Sequence, residues 1–219
     1  MPEEDAISEL ILSADTIHIF GSGLNTERPA HRAIHDLQDD GWRLVPIHVK
    51  DAGATISNIP IRKEIDEGII PEVVVLFLAP ERALSVVKQF LFRFQRPDFP
   101  LVWFQRGAKN DDAVSMLEDL GVDFVVEDCI VEHIKRNSLS KNPKIPVLPW
   151  FRQTKDLSLD GCSVWSAFNG QETDILFETE FEWVGDLWDL EASQHIIPRY
   201  IRSMKKENES LEQLALRLS

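Results

Sequence analysis

Short apolar runs alternate with amphipathic helical patterns from residue 17 to residue 127, and this alternation constrains the fold more than any other feature of the sequence. Runs with the length of strands occupy residues 17–20, 42–49, 73–78, 101–105 and 123–127. Strands that are joined one after another by helices over short connections pair in parallel, with right-handed crossovers. The pattern therefore predicts an α/β fold with a doubly wound, mainly parallel, five-stranded Rossmann-like sheet.

Proline and glycine mark the ends of the predicted helices. Pro29 and Pro80 stand where a first helical turn begins, and Gly41 and Gly121 follow the last apolar residues of two helical patterns. A further helical pattern at residues 5–13 predicts a short helix beside the sheet.

The first predicted strand ends in the turn Gly21-Ser22-Gly23, and a helical pattern begins soon after it at Pro29. Glycine allows a sharp turn and lets a bound phosphate approach the bare backbone amides. A helix N-terminus adds free N–H donors and a partial positive charge, so an anion can be held there without a lysine. The turn therefore favours a nucleotide site, although a tight loop without a ligand has the same sequence features.

Ligands of doubly wound sheets lie outside the carboxyl ends of the strands, where the strand order reverses. Applied to the predicted strands, this rule brings four segments to one edge, namely 21–28, 46–50, 77–80 and 105–110. We expect the binding site to be built from these segments.

The motifs of two common nucleotide sites are incomplete. A dinucleotide fingerprint needs a third small residue after the second glycine and an acidic residue at the end of strand two. Here the third position is Thr26, and strand two ends near His48. A P-loop needs a glycine-lysine-serine/threonine sequence, which does not follow the turn. An NAD-linked enzyme or redox sensor is therefore an alternative and not the leading interpretation.

Candidate reactive groups are few. His31 and His35 have the spacing of two metal ligands on one helix, but such a stripe is more often a solvated face, so we predict no metal site. Cys129 follows the fifth strand, and either a packed thiol or a redox handle fits that position. No serine lies in a nucleophile-elbow pattern and no carboxylate pair is evident, so we assign no catalytic residue. These features favour a binding protein over an enzyme.

The charge and composition limit the partners and the compartment. The net charge of −14 and the isoelectric point near 4.8 disfavour binding to nucleic acid or to an anionic membrane surface. The two cysteines, Cys129 and Cys162, are too few for a disulfide framework. The first residues do not resemble a signal peptide, and no apolar stretch approaches the ~20 residues that span a membrane. We expect a cytoplasmic protein.

The sequence changes character near residue 140. Prolines between 142 and 149 predict an extended connector. Beyond it, runs at 163–168 and 175–184 flank Asn169-Gly170, which predicts a hairpin whose second strand has one aromatic and one acidic face. The helical pattern at 187–204 is expected to cover the aromatic face, and residues 210–218 predict a last helix. The expected domains are therefore residues 1–139 and an α+β extension of residues 140–219.

The first ~135 residues resemble the stand-alone CoA-binding domain proteins, which are relatives of the CoA-binding domain of succinyl-CoA synthetase and of ADP-forming acyl-CoA synthetases. The segments that carry the resemblance are 20–31, 41–48, 77–80, 102–110 and 121–129. The most specific of them is a tryptophan-x-glutamine-x-glycine motif at Trp103, Gln105 and Gly107.

The resemblance implies a binding role for residues in each of these loops. Those expected to hold the diphosphate are Gly21, Ser22, Gly23, Asn25 and Arg28. Those expected on the adenosine side are Pro46 and His48, those lining the middle of the ligand are Phe77, Ala79 and Pro80, and those along its far end are Gln105 and Gly107. Where the family usually has valine-asparagine-proline after this proline, the chain has Ile47-His48-Val49, and it has Leu78 where the family often has arginine. His48 and Lys50 are the residues expected to supply the positive charge that is lost where Leu78 stands in place of the arginine.

The leading hypothesis is non-catalytic binding of coenzyme A or an acyl-CoA. The alternatives are an interaction module that has lost its ligand and acts through the C-terminal region, and the NAD-linked protein described above. A homodimer and a protein partner held through residues 140–219 are both left open.

Overall fold

The computed structural model describes residues 4–155, 163–169 and 181–219. Contacts along the chain divide it into two compact units, one of Met1–Pro46 with Ile70–Pro146 and the other of Ile47–Ile69 with Val147–Ser219. The domain boundary at residue 139 stays a prediction. The structure adds that residues 47–69 group with the C-terminal residues.

Strands and helices alternate through the first part of the chain, and their bounds are as follows. The strands are β1 Thr16–Phe20, β2 Arg43–Ile47, β3 Thr55–Ile56, β4 Ile59–Pro60, β5 Val73–Leu76, β6 Leu101–Phe104, β7 Phe124–Val125, β8 Trp150–Lys155, β9 Ser163–Phe168 and β10 Phe181–Asp186. The helices are α1 Glu4–Ser13, α2 Pro29–Leu37, α3 Pro80–Arg93, α4 Asp111–Leu120, α5 Ile130–Arg136, α6 Leu187–Ala192, α7 Ile196–Ser203 and α8 Leu211–Leu218, with a 3-10 turn at Arg96–Asp98.

The first unit is built on a five-stranded sheet with the order β2-β1-β5-β6-β7. β5 pairs in parallel with β1 and with β6, and β6 pairs in parallel with β7. The chain passes from β1 to β2 on one side and then returns to β5 on the other side of β1, so the strand order reverses between β1 and β5. The predicted fold class is confirmed.

Apolar side chains on both faces of this sheet explain why the helices pack against it. All four residues of β5 are buried, as are all four of β6. α2 contributes the fully buried Ile34 and Leu37, and α3 contributes Val87 and Phe90. Burying such a side chain stabilises the fold by about 1.5–3 kcal/mol relative to leaving it exposed. The sheet is thus a rigid frame for the loops at its carboxyl edge.

The second unit contains a β3–β4 hairpin and an antiparallel sheet with the order β10-β8-β9. The turn residues of the hairpin, Ser57 and Asn58, have positive φ angles. β8 falls directly after the predicted connector, where no strand is expected. Residues 170 and 175–180 of the predicted C-terminal hairpin lie outside the described residues.

Three aromatic side chains form the centre of the second unit. Phe151, Trp165 and Trp183 are stacked, with ring centroids 5.6 and 5.9 Å apart. Buried apolar residues of α6, α7 and α8, including Leu190 and Ile201, pack against them. The prediction that residues 187–204 cover the aromatic face is confirmed at Trp183.

A buried ion pair also joins distant parts of the second unit. Arg62 Nε donates to Asp189 Oδ2 at 2.9 Å, and Arg62 Nη2 donates to Asp186 Oδ2 at 2.7 Å. Asp186 in turn accepts from the backbone N–H groups of Trp188 and Asp189 and so caps α6. Among the helices of the described residues, none is long and apolar enough to cross a membrane.

Candidate ligand-binding site

The carboxyl ends of three neighbouring strands meet at the point where the strand order reverses. Phe77 N donates to Phe20 O at 3.1 Å, and Gln105 N donates to Leu76 O at 3.3 Å. These bonds extend the pairing of β1, β5 and β6 by one residue. Gly21, Phe77 and Gln105 therefore begin three loops that lie side by side. Neighbouring strands of a sheet are about 4.8 Å apart.

Only glycine fits at position 21. Its φ angle is +93°, and a Cβ there would overlap the carbonyl oxygen of Phe77. Gly23 N donates to Gly21 O at 3.0 Å, which closes a tight turn. The glycine turn thus lies directly against the loop that follows β5, as the carboxyl-edge arrangement predicts.

Two buried side chains bind the glycine turn to α2. Ser22 Oγ donates to Ala30 O at 3.1 Å and is fully buried. His31 Nδ1 lies 2.8 Å from Gly23 O, which can only accept, so this nitrogen carries a proton. On the other side of the ring, His31 Nε2 lies 3.2 Å from His35 Nε2. The histidine pair considered for metal binding is therefore hydrogen-bonded internally, and the Ser22 hydroxyl is used within the protein.

The helices α2 and α3 both begin at this edge without a side-chain cap. Arg28 and Ala79 occupy their N-cap positions, and Pro29 and Pro80 follow them. In contrast, Asn110 caps α4 by accepting from Ala113 N at 3.1 Å. Uncapped N-termini retain the positive end of the helix dipole for a ligand.

The turn that leads into α2 is shaped by Asn25. Its Oδ1 accepts from Glu27 N at 3.0 Å, and its carbonyl oxygen accepts from Arg28 N at 3.0 Å. Arg28 is exposed, and its guanidinium has no hydrogen bond or ion pair with any other described residue. The side chain is thus available to an anion at the start of α2.

The tryptophan-x-glutamine-x-glycine motif holds the turn before α5. Trp103 Nε1 donates to Asp128 O at 2.9 Å. The buried amide of Gln105 donates to the same oxygen at 3.3 Å and accepts from Ile130 N at 3.1 Å. The side chain of Gln105 is therefore used within the protein, and its place in the site is that of a positioning residue. The turn that it holds carries Cys129.

The remaining predicted site residues fall into two groups. Pro46 is buried near the end of β2, Phe77 and Pro80 are partly buried, and Gly107 is exposed, with open space around it and a φ angle of +79°. His48 and Lys50 belong to the other compact unit, where His48 Nδ1 lies 3.0 Å from Asp51 Oδ2. The first unit thus brings together the loops after β1, β5 and β6.

A serine, a histidine and an aspartate that no sequence motif identifies also approach each other on the first unit. Ser8 Oγ lies 3.1 Å from His133 Nε2, and Asp128 Oδ2 lies 3.6 Å from His133 Nδ1. Arg136 donates to His133 Nδ1 at 2.9 Å, so the ring proton is on Nε2 and points to Ser8. Ser8 donates its own proton to Glu4 O at 3.0 Å. This is the reverse of the arrangement that activates a serine nucleophile.

The first unit has the strand order and the glycine turn of doubly wound proteins that hold ligands at the carboxyl edge of the sheet. Residues 15–134 match the family model described as CoA binding domain, and the chain belongs to this family. The match covers more than half of the chain.

Sequence and structure comparisons also find similar proteins. The chain is 27% identical to the protein YneT of Bacillus subtilis (strain 168) over 130 residues, which cover 59% of this chain and 92% of YneT. Prb, the PH1109 protein redesigned for binding, is 20% identical with a TM-score of 0.55, over 65% of this chain and 97% of Prb. A protein from Thermus thermophilus is 21% identical with a TM-score of 0.53, over 62% of this chain and 98% of that protein. At these identities the solved structures establish the fold alone.

Proposed function

We propose that this protein binds coenzyme A or an acyl-CoA without catalysing a reaction. The observation that carries the proposal is the contact between Gly21 and Phe77, at the reversal of the strand order and beside two uncapped helix N-termini. Membership of the CoA binding domain family supports the choice of ligand.

The diphosphate of the ligand would be held mainly by backbone groups. Donors would come from the N–H groups of the glycine turn and of the first turn of α2 other than Gly23 N and His31 N, which already donate to Gly21 O and Arg28 O. Arg28 would supply a cation. Local donors are needed because the chain as a whole carries a net charge of −14. In this proposal Asn25 shapes the turn, and Gln105 holds the neighbouring wall through Asp128 and Ile130.

The rest of the ligand would follow the same edge. In this proposal Phe77, Ala79 and Pro80 line its middle, Gly107 lies near its far end, and Pro46 lies on the adenosine side. Three strand spacings separate β1 from β7, about 14 Å. An extended peptide of four residues spans about the same distance. A ligand arm of that length would therefore reach from Gly21 to the turn at Cys129.

The hydrogen bonds of Ser8 and His133 support the non-catalytic part of the proposal. Ser8 is not activated by His133, because the proton of the ring points toward it. A cytoplasmic location, and a homodimer or protein partner held through the C-terminal region, remain predictions.

Calorimetry with CoA, acetyl-CoA, 3′-dephospho-CoA and NAD tests the proposal on the full chain. We expect saturable binding of CoA or acetyl-CoA and weaker binding of NAD. If neither CoA nor acetyl-CoA binds at millimolar concentration, the proposal is wrong. Preferential binding of NAD in excess CoA would instead support the redox alternative.

A pair of glycine variants locates the site. Gly21→Ala and Gly41→Ala each place a Cβ at a positive φ and against a carbonyl oxygen, that of Phe77 for Gly21 and that of Lys141, 2.8 Å away, for Gly41. Gly41 precedes β2 and so lies toward the amino edge of the sheet. We expect both variants to lose stability, but only Gly21→Ala to bind CoA at least about tenfold more weakly. Equal loss of affinity in both variants would place the ligand elsewhere.

A further inference from the structure

A cavity of about 350 Å³ lies at the opposite, amino edge of the first unit's sheet. Leu101, at the start of β6, and Asp123, just before β7, belong to its wall. Its apolar lining comes from Leu10, Ala14, Phe99, Leu101 and Val122. None of the loops proposed for CoA reaches it, so it is a separate feature of the fold.

Arg96 is a cation that lines this cavity. The guanidinium of Arg96 lies against Gly121, with Nη2 3.4 Å from the position that a Cβ would occupy. Within the described ranges, Arg96 has no side-chain hydrogen bond or ion pair. Its planar, two-pronged group is suited to a carboxylate.

Two carboxylates line the same cavity. Glu72 Oε2 accepts from Asp15 N at 3.0 Å and from Thr16 N at 2.9 Å, which fixes the side chain and leaves Oε1 without a described partner. Asp123 is exposed, and its side chain has no partner among the residues that the structure describes. α4 also ends at the cavity without a basic residue in its last turn, so its dipole adds to the negative potential.

The cavity thus combines an apolar wall, the guanidinium of Arg96 and two carboxylates. A ligand that satisfies all three carries a carboxylate, an ammonium group and an apolar body. A cavity of about 150 Å³ holds benzene, so one of this volume accommodates a phenyl or branched aliphatic side chain with its charged groups. We propose that the amino-edge cavity binds an apolar α-amino acid, with its carboxylate on Arg96 and its ammonium on Glu72 and Asp123.

Titration of the full chain with L-leucine and L-phenylalanine tests this proposal. We expect saturable binding in the millimolar range or tighter by calorimetry, and shifts in the NMR signals of residues 96–101 and 121–123. Leucinamide lacks the carboxylate and 4-methylpentanoate lacks the ammonium, so each should bind at least about tenfold more weakly than leucine. Absence of saturable binding of both amino acids, or equal binding of leucine and leucinamide, would overturn the proposal.

Substitutions at the surface provide matched controls. Arg96→Gln and Asp123→Asn should each weaken leucine binding, whereas Arg32→Gln on α2 and Asp119→Asn on α4 should not. Equal effects of the test and control variants would contradict the assignment. The leucine titration is repeated with excess CoA. If the two sites are separate, the affinity for leucine should not change when CoA is added, and it should not depend on whether the protein binds CoA at all.

Discussion

Arg62 Nε and Asp189 Oδ2 lie 2.9 Å apart inside the second unit, and both residues are at most 4% exposed. The two residues are 127 positions apart in the sequence. A buried ion pair is costly to break, since removing one partner leaves the other charge in the interior without compensation.

We expect Arg62→Leu to lower the free energy of unfolding of the second unit by roughly 3–5 kcal/mol. Two carboxylates, Asp186 and Asp189, would then remain buried without their cation. Chemical denaturation followed by tryptophan fluorescence measures the effect, because Trp165 and Trp183 lie in the same unit. Lys63→Leu is the control, as the neighbouring Lys63 is exposed. Similar losses in the two variants would contradict a structural role for the pair.

Local periodicity accounts for the part of the fold that the sequence predicts. The continuous apolar run of β5 and the repeated helical patterns around it lead to the parallel sheet without long-range information. The hairpin of β3 and β4 has two residues in each strand, too few to show a period of two. The grouping of residues 47–69 with the C-terminal part depends on contacts such as Arg62–Asp189, which no local pattern encodes.

At the candidate site, too, a local sequence pattern identifies residues but not their contacts. Gly21 is found from the sequence because a strand, a glycine turn and a helix follow each other in order. The partners of Ser22 and Gln105 are backbone atoms, Ala30 O for the first and groups of residues 128 and 130 for the second. A motif identifies such side chains as important but does not distinguish holding the loop from touching the ligand.

We expect Gln105→Leu to loosen the turn before α5. The substitution leaves Ile130 N without its acceptor and removes one donor from Asp128 O, a loss of about 1–3 kcal/mol. Hydrogen exchange at the Ile130 amide should become faster, and the thermal midpoint should fall. Gln89→Leu, on the exposed face of α3, is the control. An unchanged exchange rate at Ile130 in Gln105→Leu would show that the turn is held by other contacts.

The stability of the first unit should fall in mild acid because of His133. Burial, and then the nearby Arg136, lower the pKa of His133 below its ordinary 6.5, with Asp128 and Glu4 opposing them. The folded state therefore binds fewer protons at this site than the unfolded chain. Stability is complete above about pH 6.5 and decreases as the pH falls below that value.

Unfolding measured between pH 7.5 and pH 5 checks this expectation, with His133→Gln as the comparison. The variant removes the titrating group, so its free energy of unfolding should depend less on pH in this range than that of the parent chain. The carboxyl pKa values of Glu4 and Asp128 are lowered too, with Arg136 hydrogen-bonded to both, so their stabilising effect is lost only at lower pH. Identical pH profiles for the parent and His133→Gln would exclude His133 as the source.

The proposed diphosphate site makes a separate prediction for Arg28. Arg28 stands at the N-cap of α2, and its guanidinium has no partner among the described residues. Removing its charge should therefore weaken CoA binding about tenfold, the effect of one charge-assisted contact. Arg32→Gln is a matched control, since Arg32 lies on the same helix, is exposed and has no described partner. Calorimetry at two salt concentrations adds a second readout, because binding through an exposed cation weakens as salt screens it, and Arg28→Gln should be less sensitive to salt than the parent chain. Equal affinity in Arg28→Gln and Arg32→Gln would mean that the amides of the glycine turn hold the anion without help from Arg28.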